Sequence, residues 1–190
     1  MPQLVLASSS PRRRDLLARL GLEPSRIASP DIDENPRKSE VPRVYALRMA
    51  EEKAHAVTRS AGEIIIAGDT TVAIGRRILP QAADAEMQRG FLQLLSGRRH
   101  HVLSAVAVID VEGRLRSRMS DSIVRFKRLG DEEIQSYIDS GEGLGKAGGY
   151  AIQGRAEALI DWMAGSHSGV IGLPLYETRA LLRASGYPIG

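Results

Sequence analysis

Two rhythms of apolar residues run along the chain. Unbroken or alternating β-rich runs at residues 4–7, 64–67 and 101–109 predict strands, as does the alternating end of 114–128 (Ile123, Arg125, Phe126, Lys127). A last strand is expected over 156–162. Helical spacing appears at Leu16, Leu17 and Leu20, at Val44, Leu47, Met49 or Ala50, Ala54 and Val57, at Met87, Phe91, Leu92, Leu94 and Leu95, and at Ile134, Tyr137 and Ile138. These stripes predict a helix that Gly21 stops, a helix over 44–61 closed by Gly62, a helix over 84–95, and a short helix capped by Asp131. A final helix is expected to run to about Ala184 after the loop 166–175. Gly75-Arg76-Arg77 reads as a turn into a short return strand at 78–79, and Glu112-Gly113 as a hairpin turn. The segment 23–42 carries Pro24, Pro30, Pro36 and Pro42 and is expected to be extended or irregular. Strands and helices intermixed in this way indicate an α/β body, without giving the strand order.

With 190 residues, 43% hydrophobic and 26% charged, the chain fits one soluble domain or a compact two-lobed body, taken as a single unit over 1–190. It has no cysteine, so disulfides and thiolate sites are excluded. A net charge of +3 with arginines spread along the chain suits a small anionic substrate better than a polyanion-coating surface. Aromatics at 4% are too few for nucleic-acid stacking platforms, so no nucleic-acid partner is expected. No apolar run approaches the roughly 20 residues needed to cross a bilayer, and the opening stretch lacks the basic lead of a secretory signal. A cytoplasmic protein without a membrane partner is the expectation.

The densest candidate chemistry is at the start. A strand at 4–7 runs into Ser8-Ser9-Ser10, with Ser10 as N-cap and Pro11 in the first helical position, and then Arg12-Arg13-Arg14. A helix N-terminus presents free N–H groups and partial positive charge, and arginine grips phosphate oxygens in pairs. The residues alone leave two readings open, a phosphate site at 8–14 or a capped helix with solvated arginines. Asp31-Ile32-Asp33-Glu34 is either a solvated acidic loop or a cation site. Lys53, on the polar side of its helix, reads as solvated. Asp69 follows a strand at the end where α/β sheets commonly bind ligands, or serves as a turn residue beside Gly68. Residues 141–154 are glycine-dense, without P-loop or dinucleotide spacing. Ser166, His167 and Ser168 lack the elbow of a serine hydrolase, and His55, His100, His101 and His167 lack zinc spacing, with His100 and His101 expected to flank a strand.

Several of these stretches together resemble one family. Leu-Ala-Ser-Ser-Ser-Pro-Arg-Arg at the start, Glu52-Lys53-Ala54, Gly68-Asp69-Thr70-Thr71-Val72 and Lys146-Ala147-Gly148-Gly149-Tyr150-Ala151-Ile152-Gln153-Gly154, with Val170-Ile171-Gly172-Leu173-Pro174 behind them, are similar to the motifs of Maf nucleoside triphosphate pyrophosphatases. The resemblance implies an elongated, twisted mixed sheet flanked by helices, with a cleft between two lobes, as in Maf and ITPase proteins. It implies hydrolysis of a nucleoside triphosphate to monophosphate and pyrophosphate, the segment at Gln153 matching the branch that acts on dTTP and UTP. On it, Asp69 is the catalytic base and shares a Mg²⁺ or Mn²⁺ with Glu34. Ser8, Arg12, Arg13, Lys53, Thr70, Gln81 and Gln153 then meet the substrate. Gly68 stands where the family usually has Ala, and Gln81 where it usually has Lys. The second change removes a charge-assisted contact of about 1–2 kcal/mol, which points to weaker or slower turnover. A regulator of cell division that binds nucleotide without turnover is the rival expectation. A homodimer is compatible with the sequence.

Overall fold

The computed structural model describes residues 2–190. A seven-stranded mixed sheet runs through them: β1 (Gln3–Ala7), β2 (Arg26–Ile27), β3 (Glu63–Ile74), β4 (Arg77–Leu79), β5 (Arg99–Ile109), β6 (Leu115–Phe126) and β7 (Ile160–Ala164). The order is β2-β1-β3-β5-β6-β7, with β4 also on β3. The helices are α1 (Pro11–Ala18), α2 (Pro42–His55), α3 (Ala85–Leu95), α4 (Asp131–Asp139), α5 (His167–Ile171) and α6 (Leu175–Ala184), with a 3₁₀ turn at Arg155–Leu159. The mixed α/β class and the flanking helices agree with the sequence reading.

Strand periodicity sorts the core onto two faces. Leu4, Leu6, Ile64, Ile66, Val72, Val102, Val106 and Val108 join Leu16, Leu17, Phe91, Leu92 and Leu182 from the helices on one face. Val5, Ala7, Ile65, Ala67, Leu103, Ala105 and Ala107 meet α2 on the other. The α2 contribution is a seam of small residues, Ala46, Ala50 and Ala54, against sheet alanines. Small side chains on both surfaces let the helix lie close to the strands.

The pairing of β3 creates the cleft. One edge is covered by β5 from Ile65 to Ala73. The other edge is shared. Parallel β1 covers Glu63–Ala67, and the return strand β4 covers Val72–Ile74. Among the described residues, 68–71 have no strand partner on that edge, and the chain leaving β1 turns away there into Ser8–Ser10.

Several sequence expectations are corrected. β3 does not end before Asp69: it continues to Ile74, because β5 pairs with it throughout. Asp69 nevertheless lies just past the end of β1, since Ala7 is opposite Ala67. α2 stops at His55 rather than running to 61; Val57 is buried, and Ser60 turns back so that Glu63 can pair with Gln3. The stretch 156–162 is mostly the 3₁₀ turn, and β7 begins only at Ile160. α4 is capped by Gly130, whose N–H donates to Glu133 Oε2 (3.0 Å), not by Asp131. Met87 is exposed, and Gln88 takes its place inside. Ser10 occupies the N-cap position but its side chain makes no capping bond. The loop before α6 contains α5, and the serines there are caps: Ser166 Oγ accepts from Gly169 N (3.0 Å) and Ser168 Oγ from Leu175 N (3.1 Å).

His100 and His101 lie within β5 rather than beside it. His100 is fully buried against Phe126 and Tyr150, its Nε2 at 2.8 Å from the Tyr150 hydroxyl. Burial, with a smaller contribution from His101, holds it down to about 4 from an ordinary 6.5. The folded state therefore keeps the ring neutral, while the unfolded chain takes a proton first as pH falls. The stability this contributes is complete above about pH 6.5 and is lost as pH falls toward 4. Between pH 7 and pH 5 this group alone is expected to remove roughly 2 kcal/mol of unfolding free energy. Titration of the His100 ring by NMR, beside urea unfolding at both pH values, checks this; a midpoint near 6.5 would contradict it.

Candidate active site

The uncovered stretch of β3 opens into a cavity of about 530 Å³. Because the edge is open, side chains from both faces of the sheet reach it. Ser8 comes from the β1–α1 turn, Arg12 and Arg13 from the first turn of α1, Glu34 from the irregular segment, Lys53 from α2, and Asp69 and Thr70 from β3. Gln81 and Lys146 form part of another wall, and Val72, Val102, Tyr150, Val170 and Ile171 supply an apolar portion.

Lys53 is the junction. It is nearly buried on α2, and its Nζ donates to Glu34 Oε2 and to Asp69 Oδ1, each at 2.9 Å. Asp69 Oδ2 accepts from Thr71 Oγ1 at 2.9 Å. One ammonium thus brings together two carboxylates that are distant in sequence and would otherwise repel. Lys53 is therefore not the solvated lysine that its place on the helix suggested.

The segment carrying Glu34 is fastened to α2. Tyr45 Oη donates to the Glu34 carbonyl at 2.8 Å. Its hydroxyl is pushed up to about 12, by burial first and by the Asp69 and Glu34 charges after it, so it remains a donor. Arg48 forks onto Glu40 (2.7 and 2.6 Å), pairs with Glu52 (3.0 Å) and reaches Asn35 O (3.3 Å). The hydrogen bonds from Arg48 hold the Glu40 carboxyl down to about 2, so this clamp stays ionised across the neutral range.

Arg13 lies over the strand from the other face. Its Nε donates to Gly172 O and its Nη1 to Ser8 Oγ, both at 3.0 Å. Burial lowers its pKa while Asp69 and Glu34 oppose that shift; a guanidinium remains cationic throughout. Gly68 gives it room, since a Cβ there would stand 3.3 Å from Arg13 Nε and 3.2 Å from Ala105 O. Arg12 is lowered by burial and by Arg13, and among the described residues it has no hydrogen-bond or ion-pair partner. Thr70 Oγ1 donates to Gly172 O at 3.3 Å.

Eight of the nine residues singled out in the sequence line this cavity. Gln153 does not. The turn Gly154 N to Ala151 O (3.1 Å), with Arg155 N on Glu142 Oε2 (2.7 Å), tucks Ile152 inward and leaves Gln153 exposed. The same loop contributes Lys146 instead, which the sequence shows only as the first residue of the motif Lys146-Ala147-Gly148 and which was not singled out there. Its place in the cavity wall depends on the bridge between Gln81 and Ala147, a pairing distant in sequence.

Among the described residues, no group of three or more His, Asp or Glu side chains is arranged to hold a metal alone. Two carboxylates, Glu34 and Asp69, are what Mg²⁺ takes when substrate phosphates and water complete its octahedron. The donor set therefore fits a metal brought with a polyphosphate, not one caged by protein.

The chain belongs to the Maf family: the family model for Maf-like proteins matches residues 3–185. It is 60% identical over 190 residues to a dTTP/UTP pyrophosphatase of Sphingopyxis alaskensis, covering 100% of both chains. It is 59% identical over 189 residues to a dTTP/UTP pyrophosphatase of Novosphingobium aromaticivorans, covering 99% of this chain and 94% of the other. Among solved structures it resembles a HAM1 protein from Coxiella burnetii, with TM-score 0.53 and 18% identity over 97% of this chain and 100% of that one. The Staphylococcus aureus Ham1 protein gives TM-score 0.51 at 12% identity, covering 96% of both. These two likenesses concern the fold.

Removing Lys53 should leave Glu34 and Asp69 facing each other without the ammonium that bridges them. Lys53→Met is expected to cost about 3 kcal/mol of stability at pH 7. Urea unfolding at that pH measures it, and an unchanged midpoint would mean that the bridge does not hold the site together.

Proposed function

We propose that this chain hydrolyses nucleoside triphosphates, dTTP and UTP foremost, to the monophosphate and pyrophosphate. The observation that carries the reading is the convergence of Arg12, Arg13 and Lys53 with Glu34 and Asp69 in one cavity at the open edge of β3. A triphosphate brings nearly four negative charges and needs cations placed in advance. The names of the relatives support the choice of dTTP and UTP.

In this reading Ser8, Arg12 and Arg13 bind phosphate oxygens, and the apolar portion of the cavity shields the nucleoside. Glu34 and Asp69 would hold a Mg²⁺ or Mn²⁺. When bound, such an ion would polarise the phosphorus and lower the pKa of water. Asp69 accepts a proton as a water oxygen attacks phosphorus; the P–O bond between the α- and β-phosphates breaks, and pyrophosphate leaves with the electron pair. Lys53 orients Asp69 through its hydrogen bond to Oδ1. Thr70 and Gln81 act as neutral hydrogen-bonding groups on the walls.

The rival, a nucleotide-binding regulator without turnover, has the neutral Gln81 as its one observation. Product analysis separates the two. With Mg²⁺ or Mn²⁺ and dTTP, UTP or 7-methyl-GTP as substrates, phosphorus NMR should show monophosphate and pyrophosphate forming together, fastest with dTTP and UTP. Asp69→Asn is expected to lower kcat by at least a hundredfold with the nucleotide still bound. Full activity in that variant would remove Asp69 from its role, and no turnover by the parent protein on any of the three would favour the regulator.

A further inference from the structure

The cations of the cavity differ in what neutralises them. Lys53 has two carboxylates. Arg13 is tied to Ser8 and Gly172 and lies in the fields of Asp69 and Glu34. Arg12 and Lys146 have neither arrangement. Among the described residues, Arg12 is unpartnered, and Lys146 Nζ reaches only Leu144 O at 3.3 Å. Both line the cavity, and Lys146 is lowered from its ordinary value by burial and then by the positive field of Arg12. Two partly desolvated like charges facing one space, with no counter-ion on the protein, are unfavourable until an anion joins them.

The backbone fixes Lys146 in this place. Ala82 N donates to Lys146 O (3.1 Å), Gly145 N to Ala82 O (2.9 Å), and Gly148 N to Leu79 O (3.2 Å). Gly148, at φ 68°, lies so close to Val72 that a Cβ would stand 2.8 Å from Val72 Cγ1. The loop is therefore fastened to the end of β4. Lys146 becomes the positive charge of a wall to which Gln81 adds only a neutral amide.

We infer that Lys146 and Arg12 together form the seat for the departing pyrophosphate, while Lys53, Glu34 and Asp69 serve the bond that breaks. The inference rests on the pyrophosphatase reading and assigns Lys146 a binding role, without proton transfer.

Binding of inorganic pyrophosphate, measured by calorimetry with EDTA present, tests it apart from turnover. Lys146→Met and Lys146→Gln are each expected to weaken pyrophosphate roughly tenfold or more, and to change dTMP or UMP affinity less than about twofold. Lys146→Arg should retain most of the affinity. In turnover, KM for dTTP should rise more than kcat falls. Because Lys146 has no ion pair to lose, the thermal midpoints of the variants should match the parent. Unchanged pyrophosphate affinity in either neutral variant, or equal losses for pyrophosphate and monophosphate, would overturn the inference. Absence of dTTP and UTP hydrolysis by the parent protein would instead overturn the functional reading, and the pyrophosphate measurement would still be interpretable.

Discussion

The site depends on a single ammonium at a break in strand pairing. β3 is a long strand with two short partners on one edge, and neither covers residues 68–71. Lys53 reaches this break from α2 and holds Glu34 and Asp69 at hydrogen-bonding distance. A strand paired along both edges would keep α1 and α2 on opposite sides of a closed sheet. Here the open edge lets Arg13 from one face and Lys53 from the other line one cavity. Fold and charge arrangement are therefore one feature.

Concentrating charge in this way is unfavourable unless each group is held. The alanine seam of α2 brings Lys53 close to β3 without a bulky side chain between them. The clamp of Arg48 on Glu40 and the Tyr45 hydroxyl fasten the segment that carries Glu34, which has almost no regular structure of its own. Such a segment would otherwise lose its position to conformational entropy. Among the described residues, Arg12 and Lys146 are the cavity cations with no carboxylate beside them, which in the proposed function is where the ligand supplies the negative charge.

Much of the fold was legible because apolar periodicity is local. β1, α1, α3 and the β3–β4 hairpin follow from runs and turns of a few residues. What failed was decided at a distance. β5 extends β3 through Asp69, which a strand-then-turn reading cannot foresee. The burial of His100 needs Phe126 and Tyr150 from elsewhere in the chain. The site was legible as a set of motifs, yet the residues alone left most of them ambiguous. Lys53 looked solvated until Glu34 and Asp69 were placed around it. Gln153 and Lys146 share one loop, and only the turn at 151–155 decides which of them faces the cavity.

In the proposed function the open edge of β3 gathers these charges to receive a polyphosphate. A crystal structure with Mg²⁺ and a dUTP analogue whose α–β bridging oxygen is replaced by NH puts this to the test. The expected result places the phosphates between Arg12 and Arg13 on one side and Glu34 and Asp69 on the other, with the metal on the carboxylates. Nucleotide bound elsewhere, or phosphates in the cavity with Glu34 and Asp69 touching neither metal nor phosphate-bound water, would contradict it.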